Sequence, residues 1–319
     1  MKNYDVKRDS LPALRRLILW TGKKDASPKE MEGFFKAFVT LGAIPRVLDF
    51  LKLHMSDNLS VILAVKVIAL CPTHALRITS TEEYCVKQAV QIVEYNGIET
   101  LIAVSRNWVT EDENPLFQVY KSLHTLVKIE ESRALMGRDQ QMKILDAAMT
   151  CLGNLKEENI KAETVVFKIM KTLEKLVLDG SFLSHHVNDL RESGFVSLLV
   201  GSMKRKTELD KSFWIGDEQC FGTAFNIIFR CTMHVKKSII TGSDLEGFIP
   251  FCIHALKTFP DSDQVRGQSM RLLNYSVKST NKKKMEASVL EAIADLLKTD
   301  RITAEAKDEA RKIVATMYN

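Results

Sequence analysis

Residues 64–71 read AVKVIALC, and the same spelling returns as VYKSLHTL at 119–126, IMKTLEKL at 169–176, AFNIIFRC at 224–231, QSMRLLNY at 268–275 and ARKIVATM at 310–317. The third letters form a column of outward-pointing positions: Lys66, Lys121, Lys171, Asn226, Met270 and Lys312, at intervals of 55, 50, 55, 44 and 42 residues. A quasi-period of this size marks stacked helical repeats, each burying its apolar face against the next.

Two further signals recur ahead of the repeated helix. A glycine opens an amphipathic stripe: Gly42 with Ile44, Val47, Leu48 and Leu51; Gly97 with Ile98, Leu101 and Ile102; Gly194 with Phe195, Leu198 and Leu199; Gly247 with Phe248, Phe251 and Cys252. Spacing of i, i+3, i+4 and i+7 predicts helices, not strands. Upstream of the glycine lies another short periodic segment, such as Glu82 to Tyr95 or Ser184 to Glu192. The unit is therefore helix, glycine, helix, loop, long helix.

That order, with a third helix spelled small, x, groove, x, Leu, x, groove, resembles the armadillo repeat family over roughly residues 28–319. The resemblance implies an all-α, right-handed solenoid of about six three-helix units, at 28–77, 82–130, 131–180, 184–234, 235–280 and 281–319. Residues 1–27, with a helix near Leu11 to Trp20, are expected to cap the first apolar face, as open-ended solenoids require. In the third unit Arg133 to Asp139 leaves a very short first helix, and Gln140 stands where the glycine is expected. Peptide-carrying members of the family typically place Trp and Asn at the two groove positions. Here no Trp occupies the first, and the second reads Leu70, Thr125, Lys175, Arg230, Asn274 and Thr316.

Composition bounds the function. At 319 residues and 45% hydrophobic content the chain can bury a large core, and no Ser/Pro/Gly-rich linker divides it. Pro28, Pro45 and Pro115 fall in predicted first turns, and Pro72 is expected to follow the third helix of the first unit. A net charge of +5 is mild and leaves the class of partner open. Leu11 to Trp20 is broken by Arg15 and Arg16, so no leader-like apolar run opens the chain, and no stretch is long and apolar enough for a membrane span. The 6 cysteines include no C-x-x-C pair and fall at predicted core positions. Reduced thiols in a cytoplasmic or nuclear protein are the expectation.

Motifs for chemistry are missing. The 7 histidines offer no H-E-x-x-H, and the adjacent His185 and His186 point about 100° apart on a helix, too far to share a metal. Phosphate-loop, dinucleotide and nucleophile-elbow signatures lack their starting residues, so no cofactor or catalytic residue is expected. The pairs Glu82-Glu83, Glu130-Glu131 and Glu157-Glu158 suit helix starts. The basic runs 203–206 and 281–284 suit solvated helix ends.

What remains is the column. Residues four apart share a helix face, so Lys171 stacks with Lys175 and Asn226 with Arg230. With Lys66, Lys121, Asn274 and Lys312 they are expected to line a concave groove that binds an acidic, extended or helical protein segment, in a non-enzymatic scaffold or adaptor. Nucleic-acid binding is a second reading, since phosphates suit the same lysines, although the groove columns hold no aromatic platform. A third rests on the loop from Thr207 to Glu218, where Phe213 and Trp214 either pack back on the rim or meet a partner.

Overall fold

In a computed structural model of the protein, the residues described are 2–21, 27–75, 82–108, 113–155, 162–203, 218–233, 242–259, 261–279, 293–294, 297–298 and 304–318. All regular structure among them is helical, and they form two compact units, 1–175 and 176–319. Phe213, Trp214, the basic runs beyond Met203 and Glu157-Glu158 lie outside the described residues.

The first unit runs α1 (Lys2–Thr21), α2 (Pro28–Thr40), α3 (Ala43–Leu53), α4 (Asn58–Ala75), α5 (Glu82–Glu94), α6 (Gly97–Trp108), α7 (Glu113–Lys128), α8 (Glu130–Leu135), α9 (Arg138–Asn154) and α10 (Ala162–Val177). Local chemistry sets the starts. Ser27 and Glu30 form a reciprocal capping box ahead of Pro28, satisfying backbone donors that the first turn of α2 leaves open. Gly42, at φ 60°, makes the left-handed turn into α3, a conformation in which a Cβ crowds the backbone. One repeat later the left-handed residue is Asn96, at φ 57°, not the neighbouring glycine. Gly97 is needed for closeness instead: a Cβ there would lie 2.5 Å from Ile92 Cγ2 and from its carbonyl oxygen.

Packing follows a rule of three. α2 lies on α5 and α5 on α8; α3 lies on α6 and α6 on α9; α1 lies on α4 and α4 on α7. The third row extends to α10, where Thr172 Oγ1 donates to the Tyr120 carbonyl at 3.3 Å. Each helix thus stacks on its counterpart one repeat away, the arrangement of a helical repeat protein. Between the rows, Phe35, Ile44, Leu48, Leu51, Leu101, Val104 and Leu123 are buried. The buried Tyr120 hydroxyl donates to the Ala147 carbonyl at 3.0 Å, tying α7 to α9.

The third repeat departs from the sequence reading. Its short helix is Glu130–Leu135, not Arg133 to Asp139, and the glycine ahead of α9 is Gly137 in extended backbone. Gln140 is inside α9. An extended cap needs no left-handed residue, so the turn does not repeat the spelling of its neighbours. Pro72 also lies inside α4, which continues to Ala75.

In the second unit α11 (Gly180–Glu192), α12 (Phe195–Ser202), α13 (Glu218–Met233), α14 (Gly242–Thr258), α15 (Asp263–Ser279) and α16 (Ala304–Tyr318) repeat the theme, with α12 on α14, α13 on α15 and α15 on α16. Gly194, at φ 61°, caps α12 as expected. Gly247 opens nothing. It sits within one continuous helix whose stripe of Phe251, Cys252, Ala255 and Leu256 is buried as a set, and burial of that set outweighs the modest helix penalty of a glycine.

Candidate functional site

Helices α4, α7 and α10 carry the first three members of the lysine column. Lys66, Lys121 and Lys171 are all half-buried. Two contacts fix the register of α7 against α10: Thr172 with the Tyr120 carbonyl, and His124 Nδ1 at 3.2 Å from the Lys171 carbonyl. These contacts are 52 and 47 residues apart in sequence, on either side of the 50 that the spelling gives.

The face is richer than the column. On α7, Lys121, His124 and Lys128 follow i, i+3, i+7; on α10, Lys168, Lys171 and Lys175 do the same, so each trio shares one side of its helix. Sequence reasoning took only the third position of the spelling and the one four residues on, and so passed over Lys128, Lys168 and His124. Counting the three-residue step as well would have found them.

The electrostatics show how closely these groups sit. His124 is depressed from 6.5 to about 4, first by burial and then by Lys168, with Lys128 and Lys171 adding to the effect against the pull of the Lys171 carbonyl. At neutral pH its ring is uncharged. Lys168 is pushed below the ordinary lysine range by burial and by the neighbouring Lys171 ammonium. Both amines lean on one ring, with Lys168 Nζ 6.0 Å and Lys171 Nζ 5.6 Å from the centre of Phe167. The half-buried Phe167 is an aromatic group beside the groove columns, not within them. Glu174, mostly buried, holds Lys171 Nζ at 2.8 Å. Lys171 is therefore an anchored cation rather than a free rung. Lys175 is half-buried one turn further along.

On α4 the partly exposed face reads Ile62, Leu63, Lys66 and Leu70, a single ammonium on an apolar strip. Cations thus concentrate toward α7 and α10.

The second unit treats the column differently. Asn226 Oδ1 accepts from Gln268 Nε2, joining α13 to α15. That pairing sets Gln268 opposite Asn226, two residues away from the register read in the sequence. Met270, expected to point outward, is fully buried, and the exposed side of α15 carries Gln264 and Arg271. The spelling failed here because Leu272 and Leu273 satisfy more than one apolar register. Arg230 and Asn274 are half-buried, and Lys312 is exposed on α16.

Among the described residues no three His, Cys, Asp or Glu side chains gather where they could hold a metal ion, and no helix is long and apolar enough to cross a membrane. His186 is buried against Phe182 with Nδ1 at 3.1 Å from Asp189, while His185 is exposed. Cys85, Cys151, Cys220, Cys231 and Cys252 are buried free thiols.

No family model matches the chain, and no curated protein matches it. Among solved structures, an engineered protein from the Northeast Structural Genomics Consortium is similar in fold, with a TM-score of 0.50 at 14% identity, covering 86% of this chain and 98% of that one. A second engineered protein from the same consortium gives a TM-score of 0.46 at 14% identity over 86% of this chain and 96% of that one. The first likeness extends to architecture alone.

Proposed function

We propose that the chain is a non-enzymatic binding protein, an armadillo-type right-handed solenoid, whose α7 and α10 face captures an acidic segment of another protein. One observation carries the reading: the Lys168 and Lys171 ammonium groups gather over the one Phe167 ring, at 6.0 and 5.6 Å, where burial and then their mutual repulsion hold Lys168 below the ordinary lysine range. Cations held against mutual repulsion gain most from an incoming anion, which relieves the repulsion as it forms its own pairs. The apolar strip on α4 adds a preference. A segment that fits the whole face has acidic residues against α7 and α10 and an apolar residue against Leu63 and Leu70.

Nucleic-acid binding is the second reading, favoured by Phe167 among the lysines, since bases stack on exposed rings beside cations. Its weakness is that both amines already lie over that ring. Fluorescence anisotropy separates the two. A labelled Glu-rich peptide with one central Leu, a Lys-rich counterpart and a random single-stranded oligonucleotide are titrated against the full chain. Preference for the acidic peptide, lost by about tenfold or more in Lys168→Glu/Lys175→Glu and weakened by salt, supports the proposal. Tighter binding of the oligonucleotide transfers the face to nucleic acid, and equal affinity of the variant removes the face from consideration.

A further inference from the structure

Lys87 on α5 and Lys168 on α10 both lean on a neighbouring ring, and they differ in what else they meet. Lys87 Nζ lies 5.8 Å from the centre of Tyr84 and bonds the Glu83 carboxylate, which raises it above the ordinary lysine range. Lys168 Nζ lies 6.0 Å from the centre of Phe167, but the group that shares this ring is the Lys171 ammonium, at 5.6 Å. Lys168 is also half-buried, whereas Lys87 is exposed. Burial and the like charge both favour the neutral amine at Lys168, and its proton affinity falls. A lysine half out of water beside a second cation is an activated nucleophile, because only the free amine carries a lone pair.

The surroundings also select the electrophile. Lys171 and Lys175 follow Lys168 at steps of three and seven on the same helix face, and Lys128 of α7 acts with Lys168 and Lys171 on the one His124 ring. Cations gathered this closely draw in an anionic reagent and raise its local concentration. His124 holds a proton only below about 4 and is too weak a base to assist the attack. The acyl donor must therefore arrive already activated. A thioester meets that condition, and phosphate groups on its carrier meet the lysines.

We propose that Lys168 is a modification site, acylated by a thioester whose carrier bears phosphate groups. The Nζ lone pair forms the new C–N bond as the C–S bond breaks, and sulfur leaves with the electron pair and takes the proton that nitrogen gives up. The products are an amide and a thiol, with no other reactant. The transfer stands apart from the proposed function; only its consequence, the loss of one positive charge from the α10 face, rests on that reading.

The test incubates the full chain at pH 8 with acetyl coenzyme A and, separately, with the uncharged acetyl thioester of N-acetylcysteamine, and follows each lysine by peptide mass spectrometry. Lys168 should be acetylated about threefold or more faster than Lys87 by either reagent. Acetyl coenzyme A should be the faster donor at low salt and lose that advantage at high salt. In urea the difference between the two lysines should vanish. Lys171→Gln, checked as helical by circular dichroism, should slow Lys168 by about twofold or more. Lys87 reacting as fast as Lys168 in the native chain, a preference that survives urea, or an unchanged rate in Lys171→Gln overturns the proposal, and faster reaction with the uncharged thioester at low salt overturns the choice of donor. Affinity of the acetylated chain for the Glu-rich peptide is a separate readout: if it is unchanged, the acidic-segment reading fails while the acyl transfer stands.

Discussion

Replacing His124 by glutamine should reverse its own effect on stability as the pH falls. At neutral pH the imidazole is uncharged and its Nδ1 lies 3.2 Å from the Lys171 carbonyl, so a neutral donor sits in a half-buried seam. Glutamine can donate to the same region but not with the same geometry, and one imperfect hydrogen bond costs about 1 kcal/mol. At pH 7.5 the variant is therefore the less stable chain. Acid changes the balance because the folded ring holds its proton only below about 4, against 6.5 ordinarily. Above 6.5 both states are neutral and the histidine contributes no pH dependence. Between 6.5 and 4 the unfolded ring is protonated while the folded one is not, so the unfolded state binds more protons and the wild type loses stability. The loss reaches about 2 kcal/mol at pH 5 and levels near 3 kcal/mol below pH 4. Glutamine does not titrate. The two stability curves should cross near pH 6, where the wild-type loss equals about 1 kcal/mol. Urea denaturation followed by circular dichroism at several pH values reads the order of the midpoints directly. A constant gap between the two chains from pH 7.5 to 5 would show that His124 titrates as an exposed histidine, and the packing of α7 on α10 described above would be wrong.

Further substitutions probe the stack itself. Tyr120→Phe removes the buried donor to the Ala147 carbonyl and should lower stability by about 1 kcal/mol, read as an earlier urea midpoint. Gly97→Ala should cost about 1–3 kcal/mol, because the new methyl meets Ile92 at 2.5 Å, whereas Gly33→Ala, within α2 and with nothing inside 4 Å, should stabilise by about 0.5–1 kcal/mol. Equal midpoints for these two glycine variants would refute the close approach at Gly97. Burial pushes the Cys85 and Cys151 thiols up to about 12 and raises Cys252 as well. In the native protein these three should therefore react with a thiol reagent at pH 8 far more slowly than in urea, a contrast that peptide mapping after timed labelling would check.

Much of the helical repeat was legible because two independent codes agree. Apolar residues recur at helical spacing, and Gly42 and Gly194 mark left-handed turns that few other residues tolerate. Where a turn is made otherwise, the glycine code misleads: Asn96 takes the left-handed turn next to Gly97, Gly137 caps α9 in extended backbone, and Gly247 lies within a helix. The site was legible only in part. The spelling picked out Lys121 and Lys171, both half-buried, but it is blind to what a side chain meets across a seam. The Glu174 partner of Lys171 was hidden by this, as were the His124 contact with α10 and the amide pair of Asn226 with Gln268. In the fifth repeat the apolar pattern has more than one solution, and the contact across helices, not the sequence, selects the register that buries Met270.

The lysine column was expected to act as one ladder, and its members divide by chemistry instead. On α13 and α15 the Gln268 amide donates to Asn226 Oδ1, so an incoming anion there would have to displace a made hydrogen bond. On α7 and α10 the groups are cations, and Glu174 pairs with Lys171. On α4 the same face is apolar around one ammonium. Under the proposed function, like charges along a seam raise the free energy of the unbound chain and an acidic segment would lower it, so the gradient from the apolar strip to the lysine rows would give such a partner both a direction and a register. A polyanion of uniform charge matches only the cationic end. A segment whose acidic run ends in a leucine or valine matches both, and the difference between their affinities should persist at high salt, because the apolar contact is not screened.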